Sequence, residues 1–307
     1  MATRLFTTRL LLIMFVISAA YLLLSYALIG FRPEQVFLVV LCNVLFFSSL
    51  ATRSFVTAFS VFIVYWIIFD YMKAFPNYRF QPVHIEQIYQ AEKNIFGIAV
   101  NGVRLTPNEF WQQHQSTWLD ILTGLFYLCW IPVPLGFAFY LYFKKLPDFY
   151  KFSFTFLVVN LVGFVVYYSY PAAPPWYITQ YGFAFREGIP GSTAGLARFD
   201  ALVHANIFQS LYTKGSNVFA AMPSLHSAYP IIVFYYAVKN KMPLMRVAAA
   251  VVMCGIWFSA VYTNHHYVLD VLAGIACAVV GIGLFNALYR YFFGRRTGEV
   301  LSNKSID

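Results

Sequence analysis

The sequence is short of charge. Only 11% of its 307 residues are Asp, Glu, Lys or Arg, against 60% hydrophobic, too few polar groups for two soluble domains and in keeping with one membrane-embedded body. Cysteine is scarce as well. Cys42, Cys129, Cys254 and Cys277 lie in apolar stretches without CxxC spacing, which excludes a disulfide framework and a cysteine zinc site and leaves them as small buried hydrophobes. There is no internal repeat and no low-complexity tract. The net charge of +9 comes without a basic aromatic groove or binding motif, so no nucleic-acid partner is expected, and the excess of cations reads as a topology and lipid-surface signal.

What the chain has instead is long apolar runs. A hydrocarbon core about 30 Å thick needs about 20 apolar residues per helix, and eight stretches reach or approach that length: about 10–29, 35–50, 54–72, 119–143, 152–170, 221–238, 244–263 and 267–290. The expected fold class is therefore all-α, a polytopic membrane helix bundle of about eight transmembrane helices. Only "ATRS" divides the second and third runs, which predicts a tight helical hairpin. The first run follows Arg4 and Arg9 and contains "SAA", which mimics a signal-peptide cleavage site; it continues well past that point and is read as a span.

Basic residues favour the cytoplasmic side of short loops. With the N-terminus inside, 13 of the 21 Lys and Arg fall on inner segments, among them "FKKLPDFYK" and "VKNKMPLMR". The bias predicts an even number of spans with both ends in the cytoplasm. Two long segments then lie on the outer side, about 73–118 and 171–218. In the first, "TPNE" at Thr106 to Glu109 combines an N-cap threonine, a proline at the first helical position and a glutamate three residues after the cap. A helix is predicted to start there and run on into the fourth span. Upstream, "VHIEQIYQAEKNIFG" mixes apolar and polar residues in the manner of an interfacial segment. The second outer segment opens with "PAAPPWY", whose prolines forbid regular helix at its start.

This topology brings three polar groups to one membrane face: "YYSYPAAPPWY", "MPSLHS" and "YTNHHYVLD". Ionisable residues at such depths are costly and mark functional sites by default. His266 and Asp270 are four apart, so on a helix they share a face and the carboxylate can accept from one imidazole nitrogen, leaving the other free as nucleophile or base. His226 supplies a second imidazole from another helix. Two histidines and a carboxylate suit phosphoryl transfer through a phosphohistidine, with His266 attacking phosphorus, Asp270 orienting it and His226 protonating the leaving oxygen. Bland readings stand beside this one. His226 alone reads equally well as the polar end of a helix, and His266 with Asp270 as an interfacial hydrogen-bonded pair. His265 and His266 are adjacent, about 100° apart on a helix, a poor arrangement for one ion; neither a metal nor a cofactor is expected. Asn160 reads as helix-packing glue, and Asp70 and Asp120 as residues at helix ends without an assigned role.

These residues resemble the type 2 phosphatidic acid phosphatase superfamily of membrane phosphatases and phosphotransferases. Its second motif is Pro-Ser-Gly-His and its third is Ser-Arg, five residues, His, three residues, Asp; "PSLH" (Pro223 to His226) and "HYVLD" (His266 to Asp270) match the histidines and the aspartate in order and spacing. Leu225 stands at the glycine position and Ala260 at the arginine of the third motif. Gly163 and Tyr170 occupy the Lys and Arg positions of the first motif, which would end at Pro171. Together "PSLHS", "HHYVLD" and "PAAPPWY" look like the inositol phosphorylceramide synthase branch, which moves an inositol phosphate headgroup from phosphatidylinositol to ceramide. The resemblance implies two added helices over 1–53, a six-helix catalytic core over 54–290 and a cytoplasmic tail over 291–307. It also implies His226, His266 and Asp270 as the catalytic triad.

With the family's clamping cations missing, Lys214, Ser224, Asn264, His265 and the hydroxyl of Tyr170 are the candidates to hold the phosphate. Arg186 and Arg198 read as solvated charges or headgroup contacts. The expected function is a membrane lipid phosphotransferase with a phospholipid donor and ceramide or another lipid alcohol as acceptor. A lipid phosphatase using water is the alternative, and a non-catalytic scaffold or transporter a third class. The site is expected on the non-cytoplasmic face, the periplasmic side of a bacterial inner membrane or the lumenal side of a Golgi-type membrane. The absence of obvious eukaryotic extensions favours the bacterial setting.

Overall fold

The computed structural model describes residues 5–213, 215 and 217–302, with side chains up to Phe293 in the last helix. The chain forms two compact units, residues 1–76 and 77–307.

The first unit holds three helices, α1 (Thr8–Ile29), α2 (Pro33–Ser48) and α3 (Leu50–Tyr71). The Thr7 side chain caps α1 by accepting from the Leu10 N–H at 3.2 Å. The hairpin between α2 and α3 is tighter than the sequence suggests. It turns on a single extended residue, Ser49, whose hydroxyl accepts from the Thr52 N–H at 3.0 Å, so "ATRS" lies inside the first turns of α3. Arg53 steadies this corner by donating to the carbonyls of Phe46 and Leu5. Polar side chains join the three helices: Asn43 donates to Ser18 at 2.9 Å, and the hydroxyls of Ser25 and Tyr71 meet at 2.8 Å.

The second unit begins with α4 (Glu86–Phe96), a hairpin of β1 (Ile98–Val100) and β2 (Val103–Leu105), and α5 (Pro107–Gln113). The hairpin turns on Asn101 and Gly102, both at positive φ, as a two-residue turn requires. The "TPNE" box is formed: Thr106 Oγ1 accepts from the Glu109 N–H and Glu109 Oε2 from the Thr106 N–H. The helix does not run on into the membrane as expected. It stops at Gln113, and Ser116 starts a new helix from an extended backbone, its N–H and carbonyl both turned to the Tyr262 hydroxyl.

The fourth apolar run is likewise two helices, α6 (Thr117–Leu128) and α7 (Pro132–Lys144). Pro132 has no N–H with which to close the helical bond to the Leu128 carbonyl, and the run breaks at "CWI". Then follow α8 (Leu146–Ser169), three short helices α9 (Pro175–Tyr181), α10 (Leu196–Leu202) and α11 (Ile207–Tyr212), and finally α12 (Leu225–Lys239), α13 (Pro243–Tyr262) and α14 (Val268–Ser302). All eight expected spans are helical. Among the described residues six helical segments are long and apolar enough to cross a membrane, with α6 and α7 counted as one. At 16 and 15 residues, α2 and α12 are shorter than the hydrocarbon thickness at 1.5 Å per residue.

Around α12 pack α13, α14, α8 and α7. Two hydrogen bonds hold α12 to α8: Tyr229 donates to Asn160 Oδ1 at 2.7 Å, and the Thr155 and Tyr236 hydroxyls meet at 2.8 Å. Where α14 crosses the start of α12, only glycine fits, since a methyl group on Gly274 would lie 2.2 Å from the Ser224 carbonyl oxygen.

One loop contact departs from expectation. Arg198 is no solvated charge: its Nε donates to Asp120 Oδ1 at 2.8 Å, the same oxygen accepts from the Tyr262 hydroxyl at 2.9 Å, and the guanidinium lies over the Tyr262 ring. The cluster ties α10, α6 and α13 together. Asp120→Asn should lower the thermal midpoint in detergent by an amount worth roughly 2 kcal/mol, the scale of a hydrogen bond to a charged group, with turnover per folded molecule kept. An unchanged midpoint would show that the pair contributes nothing.

Candidate active site

His226 is the second residue of α12. Four residues on, Pro230 has no N–H with which to close the helical bond to the His226 carbonyl. His265 and His266 follow the end of α13, where both their N–H groups donate to the Ala260 carbonyl, at 3.1 and 3.0 Å. Asn264 makes this turn possible by taking a left-handed backbone, φ 64°. From below, Asn108 of α5 donates through Nδ2 to the carbonyls of both Val261 and His266, each at 2.9 Å, and so pins the turn at its two ends. Asp270 lies in the first turn of α14. Its Oδ2 accepts from the Tyr267 N–H at 2.9 Å, and its carbonyl accepts from the Ser224 N–H at 2.9 Å, which joins the start of α14 to the start of α12.

These constraints bring the three residues together. His226 Nδ1 lies 3.2 Å from His266 Nε2, and Asp270 Oδ2 lies 3.5 Å from His266 Nδ1. Among the described residues Asp270 Oδ1 has no hydrogen-bond partner, and His266 Nδ1 has only the carboxylate beside it. The tautomers follow from the geometry. A carboxylate beside Nδ1 places the proton there, which leaves Nε2 with its lone pair; the imidazole hydrogen bond must then be donated by His226 Nδ1–H. In this arrangement His266 Nε2 carries a lone pair and His226 Nδ1 a proton, 3.2 Å apart.

Aromatic side chains enclose the pair. Tyr127 places its hydroxyl 3.4 Å from His226 Nδ1 and receives one from Tyr212 at 3.4 Å, while Trp130 meets the His226 ring edge-on. Sequence reasoning missed Tyr127, Trp130, Tyr212, Asn108 and Glu92. The break at "CWIP" is the one local hint for the first two; Glu92 sits four residues after Ile88, a charge on the buried side of α4.

The expected phosphate ligands take different positions. His265 is buried, donates through Nε2 to the Thr193 carbonyl at 2.9 Å and stacks on Tyr212. Burial and the neighbouring His266 hold its pKa down to about 3, so it is neutral at physiological pH. The Ser224 hydroxyl is buried and accepts from Ser227. Tyr170 caps α8 and stacks face to face on His84; burial and the charge of Asp270 raise its pKa. Asn264 donates to Thr179 at 3.3 Å and borders a cleft of about 280 Å³, lined also by Tyr89, Glu109, Gln112 and Tyr267. Lys214 lies outside the described residues.

Two of the motif departures are one packing event. Leu225 fills the notch left by Gly163, so that a methyl group on Gly163 would come within 2.7 Å of the Leu225 Cδ2. A leucine side chain therefore covers the place from which the superfamily's lysine would extend.

An all-helical membrane bundle in which two histidines and an aspartate meet defines the class. A family model of the PAP2 superfamily matches residues 102–284, and the chain belongs to that superfamily. It is 46% identical over 268 residues to the phosphoinositol dihydroceramide synthase of Bacteroides thetaiotaomicron, covering 87% of this chain and 88% of that protein. It is 28% identical over 251 residues to the inositol phosphorylceramide synthase catalytic subunit AUR1 of Saccharomyces cerevisiae, covering 78% of this chain and 60% of that one. The inositol phosphorylceramide synthase of Candida albicans shares 29% over 150 residues, 48% of this chain and 31% of that protein. No solved structure matches the chain significantly. Within its superfamily the chain is a lipid phosphotransferase.

Proposed function

We propose that the protein moves inositol phosphate from phosphatidylinositol to the primary hydroxyl of ceramide or dihydroceramide, by way of a phosphohistidine on His266, at the non-cytoplasmic face of the membrane. The observation that carries this reading is the 3.2 Å approach of His226 Nδ1 to His266 Nε2, with Asp270 behind His266 Nδ1. In the first step the His266 Nε2 lone pair forms a bond to phosphorus as the bond to the diacylglycerol oxygen breaks, and His226, entering as the imidazolium, gives its Nδ1 proton to that oxygen and is left a neutral imidazole. Asp270 balances the positive charge on the phosphorylated imidazole. In the second step His226 Nδ1 takes the proton of the acceptor hydroxyl, whose oxygen attacks phosphorus and releases His266.

The surroundings favour a diester over a monoester. Among the described residues no Lys or Arg bonds to His226, His266 or Asp270, and Leu225 covers Gly163. A phosphodiester carries about one negative charge, against nearly two on a monoester, and needs less neutralisation. The names of the relatives, phosphoinositol dihydroceramide synthase and inositol phosphorylceramide synthase, support an inositol phosphate headgroup and a ceramide-type acceptor.

Purified protein given phosphatidylinositol and ceramide in EDTA should form a phosphosphingolipid and diacylglycerol in equal amounts, with ping-pong kinetics. Release of free inositol phosphate without a lipid-acceptor product would replace this reading with hydrolysis.

A further inference from the structure

Glu92 is fully buried on α4, and its two carboxylate oxygens accept from the N–H groups of Val268 (2.9 Å) and Leu269 (3.0 Å), the first two residues of α14. Those N–H groups are among the four that a helix start cannot satisfy internally. The N–H just before them, on Tyr267, goes to Asp270 Oδ2. One short stretch of backbone is thus held by two carboxylates, Asp270 from within the helix and Glu92 from a segment 176 residues earlier. Glu92 lies outside the stretch that the superfamily model matches, 102–284, so this brace comes from the segment in front of the shared core.

As a helix cap alone, a buried carboxylate is an expensive choice, because its charge must be desolvated. Burial and the charge of Asp270 outweigh the two backbone hydrogen bonds and push the Glu92 pKa up to about 7. What two oxygens on successive N–H groups deliver is a fixed orientation. A single acceptor would let the first turn of α14 pivot; two do not.

We propose that Glu92 is a positioning residue for headgroup transfer: it locks the first turn of α14 so that Asp270 Oδ2 stays aimed at His266 Nδ1. The inference rests on the histidine-transfer reading above. Protonating Glu92 turns one of its acceptors into a hydroxyl facing an N–H, so the lock opens as pH falls through about 7. The titratable groups around it are Asp270 of α14, the Tyr267 phenol, and across that phenol Glu109 of α5 and Tyr89 of α4, the last bonded to Lys93.

The test compares wild type, Glu92→Gln and Glu92→Asp in phosphatidylinositol–ceramide vesicles across the pH range around neutrality. Glu92→Gln keeps one acceptor and turns an NH2 towards the other N–H. Its kcat at alkaline pH should fall about 10- to 100-fold, the usual range for partners that orient a reacting group, with donor KM nearly unchanged and the acid limb near pH 7 gone. Glu92→Asp, which retains both oxygens, should recover part of the loss. Wild-type kcat with an unchanged acid limb in Glu92→Gln, or an effect on KM alone, overturns the proposal. Amide exchange gives a readout without substrate: Val268 and Leu269 protection in wild type should drop on going from pH 8 to pH 6 after correction for intrinsic rates. If wild type transfers no headgroup, the mechanism fails whatever the amides do. If protection is the same at both pH values, the lock fails whatever the mechanism.

Discussion

Replacing His266 with alanine should abolish headgroup transfer while leaving the helix content and thermal midpoint of the protein close to wild type. The side chain makes contact with Asp270 and His226, but the fold at this point is carried by the backbone: the His266 N–H to Ala260, its carbonyl to Asn108, and the Tyr267 N–H to Asp270 Oδ2. Alanine keeps all three. What disappears is the nitrogen that forms the bond to phosphorus, and loss of a covalent nucleophile costs roughly 10⁶-fold in turnover where it has been isolated in other enzymes. Donor headed with labelled phosphate should give an acid-labile, base-stable phosphoenzyme with wild type and none with His266→Ala. Near-normal turnover in this variant would rule out the phosphohistidine route.

Asp270→Asn should be almost as damaging, for a different reason. The amide has the shape of the carboxylate, and its oxygen can still accept from the Tyr267 N–H, as Oδ2 does now. Its NH2 then faces His266 Nδ1 and requires a lone pair there, so the ring proton moves to Nε2 and occupies the position that must attack phosphorus. The variant also loses the charge that balances the phosphorylated imidazole. A drop in kcat on the order of 10³- to 10⁴-fold is expected, the scale of the same change behind a serine–histidine pair, or about 4–5.5 kcal/mol of barrier. The donor KM should change little. Because both residues act on one nitrogen, the double variant His266→Ala/Asp270→Asn should be no worse than His266→Ala. A wild-type rate from Asp270→Asn would mean that the pair is structural.

Much of the fold was legible because membrane helices announce themselves by length. Eight apolar runs were expected and eight are helical; the misjudged points are junctions. Ser49 separates α2 from α3 by turning extended and capping the start of α3 with its side chain, a one-residue event that a hydropathy pattern does not register. The capping box at Thr106 was read correctly, yet the helix it starts ends at Gln113, because the Tyr262 hydroxyl, 146 residues away, takes up the Ser116 backbone and lets a new helix begin. The β1–β2 hairpin had a local signal, Asn101-Gly102, that went unread between the apolar runs.

The site divides in the same way. His266 and Asp270 were legible as a pair because they are four apart, and His226 because topology alone carries the start of α12 and the start of α14 to one face. Leu225 and Gly163 were each visible as departures from the superfamily's motifs, but not as one packing event, since 62 residues separate them and only the crossing of α8 and α12 makes them touch. Beyond the break at "CWIP" beside Tyr127 and Trp130, these two, Tyr212 and Arg198 carry no sequence pattern that distinguishes them from the chain's other aromatics and loop charges.

The sequence by itself determined that this chain is a helical membrane protein and which two histidines and one aspartate could meet, since both depend on spacing along the chain and on which side of the bilayer each segment falls. Only the tertiary structure decided how they meet: a 3.2 Å contact between the two imidazoles, a turn pinned by Asn108, and a helix start held by Glu92. The last two are contacts between backbone and side chains more than 150 residues apart. They arise from packing, and no local periodicity encodes them.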